Sequence, residues 1–277
     1  MAETDQGDRG PRAGEGPPAV PTLHHLACSG GTLLARAVAT HPHAMVLSEI
    51  HPDRELAGLF HPFPQIMAGY PAAVTPAVRD RFDARFLDDI AVCRETARDD
   101  GRRLVIRDHA QMDFVHHDRS RSRLRDVLAA RFAVCPVVTV RHPLDTYLAL
   151  RDTGWFHGRP TDVFDGMARL LAAFDDSPVV RYEDFVAGPP ATLGRLCGLL
   201  GLDPAPVATD TAGLERAMAA VTWLTGASGR DGSAIGTRPR RRVERFEALL
   251  CAKSATYEAV CHRLGYAPDP AAPACAS

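Results

Sequence analysis

Lysine is almost absent from this chain of 277 residues: of its 32 basic residues, only Lys253 is a lysine. Any binding of phosphate-like groups therefore falls to arginine, to backbone N–H groups or to hydroxyls. A strong charge of one sign is also missing. The formal net charge is −2, which argues against a nucleic-acid binder that relies on a general basic surface but leaves room for a local basic pocket. The seven cysteines, at 28, 93, 135, 197, 251, 261 and 275, include no CxxC pair and are odd in number. A disulfide framework or a structural zinc site is therefore not expected. No apolar stretch approaches the roughly 18 residues that span a membrane, and the N-terminus lacks the basic region and apolar run of a signal peptide. No internal repeat is visible. These absences lead to the expectation of a protein in a reducing, cytoplasmic compartment, without membrane or nucleic-acid partners and without a bound metal.

What is present is enough to build a core. Hydrophobic residues make up 45% of the chain, ordinary for a globular protein. Residues 1–20 and 267–277 are rich in Gly, Pro, Ala and charge and read as tails flanking one domain over 21–266. Inside it, short apolar runs at 22–27, 44–47, 104–106, 137–140 and 178–181 read as strands. Helical stripes lie between them: Leu33, Leu34, Ala37 and Val38; Val78, Phe82, Phe86, Ile90 and Cys93; Leu124, Val127 and Leu128; Tyr147 and Leu148; Val163, Met167, Leu170, Leu171 and Phe174. Pro189 and Pro190 suit a helix start and Gly201 its end. Val243, Phe246, Leu250, Tyr257 and Leu264 form one long C-terminal stripe. Strands alternating with helices predict an α/β three-layer sandwich around a mainly parallel sheet. Ligands of such sheets bind beyond the C-terminal ends of the strands, so the residues that follow each strand are the candidates.

The first strand runs into Ala27-Cys28-Ser29-Gly30-Gly31-Thr32, and a helix follows. Two glycines let backbone wrap an oxyanion closely, the helix N-terminus adds N–H donors and a favourable dipole, and Ser29 and Thr32 add hydroxyls. The pattern GxxxxGK[ST] is absent, which counts against a nucleoside triphosphatase. A plain glycine-rich turn capped by Thr32 is the bland alternative. The third strand ends in Arg107-Asp108-His109, and an imidazole there is well matched to proton transfer at neutral pH. Glu49 follows the second strand, within Ser48-Glu49-Ile50-His51. The fourth strand ends in Arg141-His142-Pro143, which points a guanidinium into the same cleft. Arg181-Tyr182-Glu183-Asp184 follows the fifth. A basic, glycine-containing stretch, Ser228-Gly229-Arg230 and Arg238-Pro239-Arg240-Arg241-Arg242, precedes the last helix, with Trp223 just before it as either an adenine-stacking or a core residue. His51, His116 and His117 are weaker candidates for the chemistry.

Residues 26–39, followed by His41-Pro42 and Ser48-Glu49, resemble the opening of the bacterial sulfotransferase family. The ordered set of loop, Glu, Arg-Asp-His, Arg-His-Pro and Tyr-Glu-Asp extends the resemblance over residues 22–265. It implies a P-loop NTPase-like sulfotransferase fold and 3′-phosphoadenosine-5′-phosphosulfate (PAPS) as cofactor, leaving 3′-phosphoadenosine-5′-phosphate (PAP). It further implies that Cys28, Ser29, Gly30, Gly31, Thr32 and Leu33 hold the 5′-phosphosulfate. The family's loop usually carries Lys or Arg where Cys28 stands, and Arg107 is the candidate replacement. Arg141 is implied for the 3′-phosphate, usually with a serine eight positions on. That position is Ala149 here, with Asp145, Thr146 and Arg151 as substitutes. Tyr182 is implied as a nucleotide contact, Asp184 as a brace, and Arg230, Arg238 and Arg240 as a cover over adenosine and 3′-phosphate. Either His109 or Glu49 is the expected base, with both acting together as a third arrangement.

The reading is thus a transferase that moves a sulfuryl group to a hydroxyl or amine of a small organic acceptor. Such transfer needs a positioned acceptor, a base for its proton and positive charge for the leaving phosphate. Phe60, Phe63, Tyr70, Trp155 and Phe156, in loops over 52–76 and 152–162, are expected to line the acceptor pocket. Two alternatives stay open: a kinase-like phosphotransferase, which lacks its loop lysine here, and a non-catalytic nucleotide-binding protein, which Cys28 and Ala149 favour. Acceptor identity is not legible in the residues, and a homodimer is compatible with them but not fixed by them.

Overall fold

The computed structural model describes residues 17–53, 66, 69–154, 156–205, 208–224, 234–237 and 239–272. The calls on Phe60, Phe63, Trp155, Arg230 and Arg238 lie outside these described residues. Five strands, β1 (Ala19–His24), β2 (Ala44–Ile50), β3 (Arg103–Asp108), β4 (Ala133–Val140) and β5 (Val179–Arg181), form one sheet in the order β2-β3-β1-β4-β5, with every neighbouring pair parallel. The helices are α1 (Gly31–Ala39), α2 (Pro76–Asp99), α3 (Arg123–Ala129), α4 (Pro143–Arg151), α5 (Pro160–Ala173), α6 (Tyr182–Ala187), α7 (Pro189–Leu199), α8 (Thr211–Ala219), α9 (Arg245–Lys253) and α10 (Ala255–Leu264). The chain forms the three-layer α/β sandwich that the alternation predicts.

Period-two alternation along the strands divides the core between the faces of the sheet. Leu23, Val46, Val105, Val137 and Val180 face α1, α7 and α8, meeting Leu34, Val38, Leu193, Leu196 and Met218. On the other face, Val20, Leu104 and Ile106 meet α2 and α3 through Ile90, Leu124 and Leu128. Val138 and Val140 meet α4, α5 and α10 through Leu148, Phe164, Leu170 and Tyr257. Proline occupies the first turn of α2, α4, α5 and α7, where its missing N–H has no intrahelical partner to lose.

The structure departs from the sequence reading at several edges. β1 begins at Ala19, and Val20 inside it is fully buried, although both lie in the segment read as tail. At the other end, Ala267, Asp269, Pro270 and Ala272 accept hydrogen bonds from His142 and Arg240. The long C-terminal stripe is two helices. Ser254 leaves helical geometry and its hydroxyl accepts the Tyr257 N–H at 3.1 Å, capping a new helix. α6 and α8 were not foreseen, and α8 buries only Leu214 and Met218, too few apolar positions to form a visible stripe. Among the described residues no helix is long and apolar enough to cross a membrane.

Candidate active site

β1 sits between β3 and β4 although it precedes both, so the connections leaving its two sides diverge and open a crevice at its C-terminal end. The strand ends deliver the loop after β1, Ser48 and Glu49 of β2, Arg107 of β3 with His109 just after it, Arg141 after β4, and Tyr182 after β5. A separate cavity of about 580 Å³, lined by Arg94, Arg98, Arg102, Arg103 and Gly201, opens at the opposite, N-terminal edge of the sheet.

The loop is held from beneath by one carbonyl. Leu26 O accepts from the Ser29 hydroxyl at 2.6 Å, from the Ser29 N–H at 3.3 Å and from His25 Nδ1 at 2.8 Å. Cys28 (φ 62°) and Gly30 (φ 88°) adopt left-handed backbone, which turns the chain back on itself before α1. Both glycines are packed against side chains. A Cβ at Gly30 would lie 2.3 Å from the Tyr182 ring, and one at Gly31 would lie 2.2 Å from His25 Nε2. The Tyr182 ring also lies under the Arg141 guanidinium, 5.0 Å from ring centre to Cζ, a cation–π distance. Gly30, Tyr182 and Arg141 are therefore contiguous. Leu33, half-buried, packs into the core under α1.

Arg107 is the centre of the site. Its side chain is only 3% exposed. Nε donates to His25 Nε2 at 2.7 Å, Nη1 to Ser48 Oγ at 2.6 Å and Nη2 to Thr32 Oγ1 at 3.1 Å. Nη2 also lies 3.2 Å from Glu49 Oε1, while Glu49 Oε2 lies 3.5 Å from His109 Nδ1. Glu49 lies within β2, not after it as read, and stands at a register shift against β3 with φ 59°. The bulge turns its carboxylate toward both partners. The two candidate bases thus touch each other.

The surroundings lock these groups in place. Buried His24 sits 2.7 Å from Asp108 through Nδ1 and 2.8 Å from Thr22 through Nε2, which ties β3 to β1. Buried Gln111 accepts the Ala27 N–H at 3.2 Å, and this bond orients its amide. Glu183, which sequence reasoning did not single out, accepts the His142 N–H at 3.0 Å and the Tyr266 hydroxyl at 2.5 Å. Burial pushes its carboxyl above the ordinary range. Asp184 takes three contacts from Arg181, which also reaches Leu264 O; this matches its reading as a brace.

The remaining candidates are placed elsewhere or differently. Arg240 is engaged by both oxygens of Asp145, at 3.0 and 3.2 Å, and by C-terminal carbonyls. Ala149 is buried in α4. Arg241, not chosen from sequence, brings Nη1 to within 3.1 Å of Leu148 O and 3.5 Å of Ala149 O, beside the position of the absent hydroxyl. Arg151 pairs with Glu247. His51 is buried against Asp113, in a network that adds Arg119, Arg123 and Asp53. Phe156 packs into the core, while Tyr70 and Trp223 are 71% and 61% exposed, so Trp223 is not a core residue.

Two buried imidazoles set a pH limit on this architecture. Desolvation, with Arg107 next, lowers His25 from 6.5 to about 3; desolvation, with Arg240 next, lowers His142 to about 4. Both stay neutral in the fold but protonate near pH 6.5 when unfolded, so the unfolded state binds more protons between these values and stability falls as pH drops below 6.5. Each group is expected to remove about 2 kcal/mol between pH 7 and pH 5. Urea unfolding at the two pH values measures this, and an unchanged midpoint would show that neither imidazole is held neutral.

No protein-family model and no curated protein matches the chain. Its fold does match solved structures. The sulfotransferase domain of an olefin synthase from Synechococcus PCC 7002 aligns over 91% of this chain and 96% of its own, with 17% identity and a TM-score of 0.55. This shows that the chain has the sulfotransferase fold. Weaker overlaps are found with a sulfotransferase from Alicyclobacillus acidocaldarius (15% identity, 72% of this chain and 90% of the other, TM-score 0.39) and with a mouse sulfotransferase complexed with PAP (14%, 73% and 64%, TM-score 0.39).

Proposed function

We propose that the protein is a PAPS-dependent sulfotransferase acting on a hydroxyl or amine of a small organic acceptor. The observation that carries this reading is the convergence on Arg107: one buried guanidinium contacts the loop hydroxyl of Thr32, the β2 hydroxyl of Ser48 and Glu49, and Glu49 in turn meets His109. The residues fit such a cofactor. Gln111 Nε2 is buried without a hydrogen-bond partner among the described residues, at the foot of the loop, which is a donor in want of an acceptor. Gly30, in left-handed backbone, turns the loop into the first turn of α1, where N–H groups lack intrahelical partners.

When bound, PAPS supplies the sulfuryl group and PAP is its leaving group. Loop residues 28–33 and the first turn of α1 hold the 5′ end. Arg141 holds the 3′-phosphate, with its guanidinium steadied on the Tyr182 ring. Arg107 supplies the positive charge that loop residues themselves lack. His109 takes the acceptor proton on Nε2, the ring nitrogen away from Glu49, and Glu49 orients that ring, as a carboxylate does behind an imidazole base. Arg240 braces α4 through Asp145 and acts on the cofactor only indirectly, while Arg241 stands in beside Ala149.

The test is calorimetric titration with PAP, with ATP as comparison and Arg141→Ala as control. Micromolar binding of PAP, little binding of ATP, and a loss of about 10- to 100-fold in the variant are expected, since a charge-assisted contact contributes about 1.5–3 kcal/mol. Absence of PAP binding by the intact protein would sink the reading.

A further inference from the structure

Residues 25–34 contain no lysine or arginine, so the loop has hydroxyls and backbone N–H groups but no cation of its own. Arg107, 82 positions from its partner His25, reaches the loop hydroxyl of Thr32. A guanidinium beside a carboxylate favours a two-bond fork. A side-on fork of Arg107 with Glu49 would use Nε, and here His25 holds Nε at 2.7 Å. With that edge committed, Nη1 and Nη2 reach Ser48 and Thr32. Each hydroxyl that accepts from Arg107 retains its own O–H to donate elsewhere. We propose that His25 is the positioning residue that aims Arg107 at the loop, so that the Thr32 and Ser48 hydroxyls face a bound oxyanion as donors. This rests on the cofactor reading above.

Three observations support it. His25 Nδ1 is 2.8 Å from Leu26 O, so the proton lies on Nδ1 and Nε2 presents a lone pair to Arg107. Burial and the neighbouring guanidinium keep the ring neutral, which preserves that lone pair. Gly31 gives the ring its place, since a Cβ there would overlap it at three atoms within 2.4 Å.

The experiment compares His25→Gln, His25→Asn and His25→Leu, alone and combined with Cys28→Arg, reading PAP affinity, kcat and KM, and thermal unfolding. Gln carries an acceptor at the position of Nε2, Asn at that of Nδ1, and Leu carries none. The expected result is PAP affinity within about 3-fold of the parent for Gln and a loss of about 10- to 100-fold for Asn and Leu. Cys28→Arg, which puts a cation in the loop itself, is expected to restore most of that loss. Equal loss in Gln and Asn, or no rescue by Cys28→Arg in folded protein, overturns the proposal. Should Leu fail to fold, the Gln and Asn pair decides. Parent protein that does not bind PAP would overturn the cofactor reading itself, whereas parent binding with unaffected Asn and Leu variants would overturn only the role of His25.

Discussion

Replacing His109 with alanine is expected to lower turnover by about 10²–10⁴-fold while PAP affinity stays within about 3-fold, because a positioned base acts on the acceptor proton and not on the nucleotide. The site itself argues for this assignment. Glu49 turns one oxygen to Arg107 at 3.2 Å and the other to His109 at 3.5 Å, so the carboxylate serves as a link between guanidinium and imidazole. His109 turns Nδ1 to Glu49. Glu49→Gln keeps the shape but removes the charge that stabilises an imidazolium, and a smaller loss of about 10- to 100-fold is expected. Single-turnover rates with a model phenol or alcohol acceptor measure both. A larger loss in Glu49→Gln than in His109→Ala would reverse the roles and make the carboxylate the base.

The second large effect is expected at Gly30. Alanine there adds a Cβ 2.3 Å from the Tyr182 ring and must also adopt φ 88°. The left-handed backbone costs about 1–2 kcal/mol, and the overlap adds about 1–3 kcal/mol. The ring cannot yield without disturbing Arg141, whose guanidinium lies 5.0 Å from its centre. Gly30→Ala is therefore expected to destabilise the protein by about 2–5 kcal/mol and to weaken PAP binding by at least about 100-fold, read from urea unfolding and calorimetry. The double variant with Tyr182→Ala removes the overlap and leaves the backbone cost, so the two changes should be strongly non-additive in stability. Additive costs would mean that ring and loop do not meet.

Local patterns made much of this legible from residues alone. Apolar runs separated by helical stripes dictate a layered α/β fold, because a parallel strand needs a crossover and a covered face on each side. Residues after the strands then converge, since all strand ends point one way. The glycine-rich turn was legible because left-handed backbone and close packing favour glycine. That much locates the loop, Glu49, Arg107, His109, Arg141 and Tyr182 at one edge without any knowledge of strand order.

Sequence by itself determined the class of fold and the edge of the sheet where the candidate residues gather. Tertiary structure alone decided who meets whom. His25 and Arg107 pair across 82 positions because β1 and β3 are neighbours, with Leu23 in register with Arg107. Tyr182 covers Gly30 because its helix α6 starts directly after β5, at the same end of the parallel sheet as the loop after β1. Arg240 turns to Asp145 while Arg241 approaches Ala149, although the two arginines are adjacent in the chain. Such contacts depend on strand order and side-chain direction, and these are settled by burial over the whole domain, which no local period encodes.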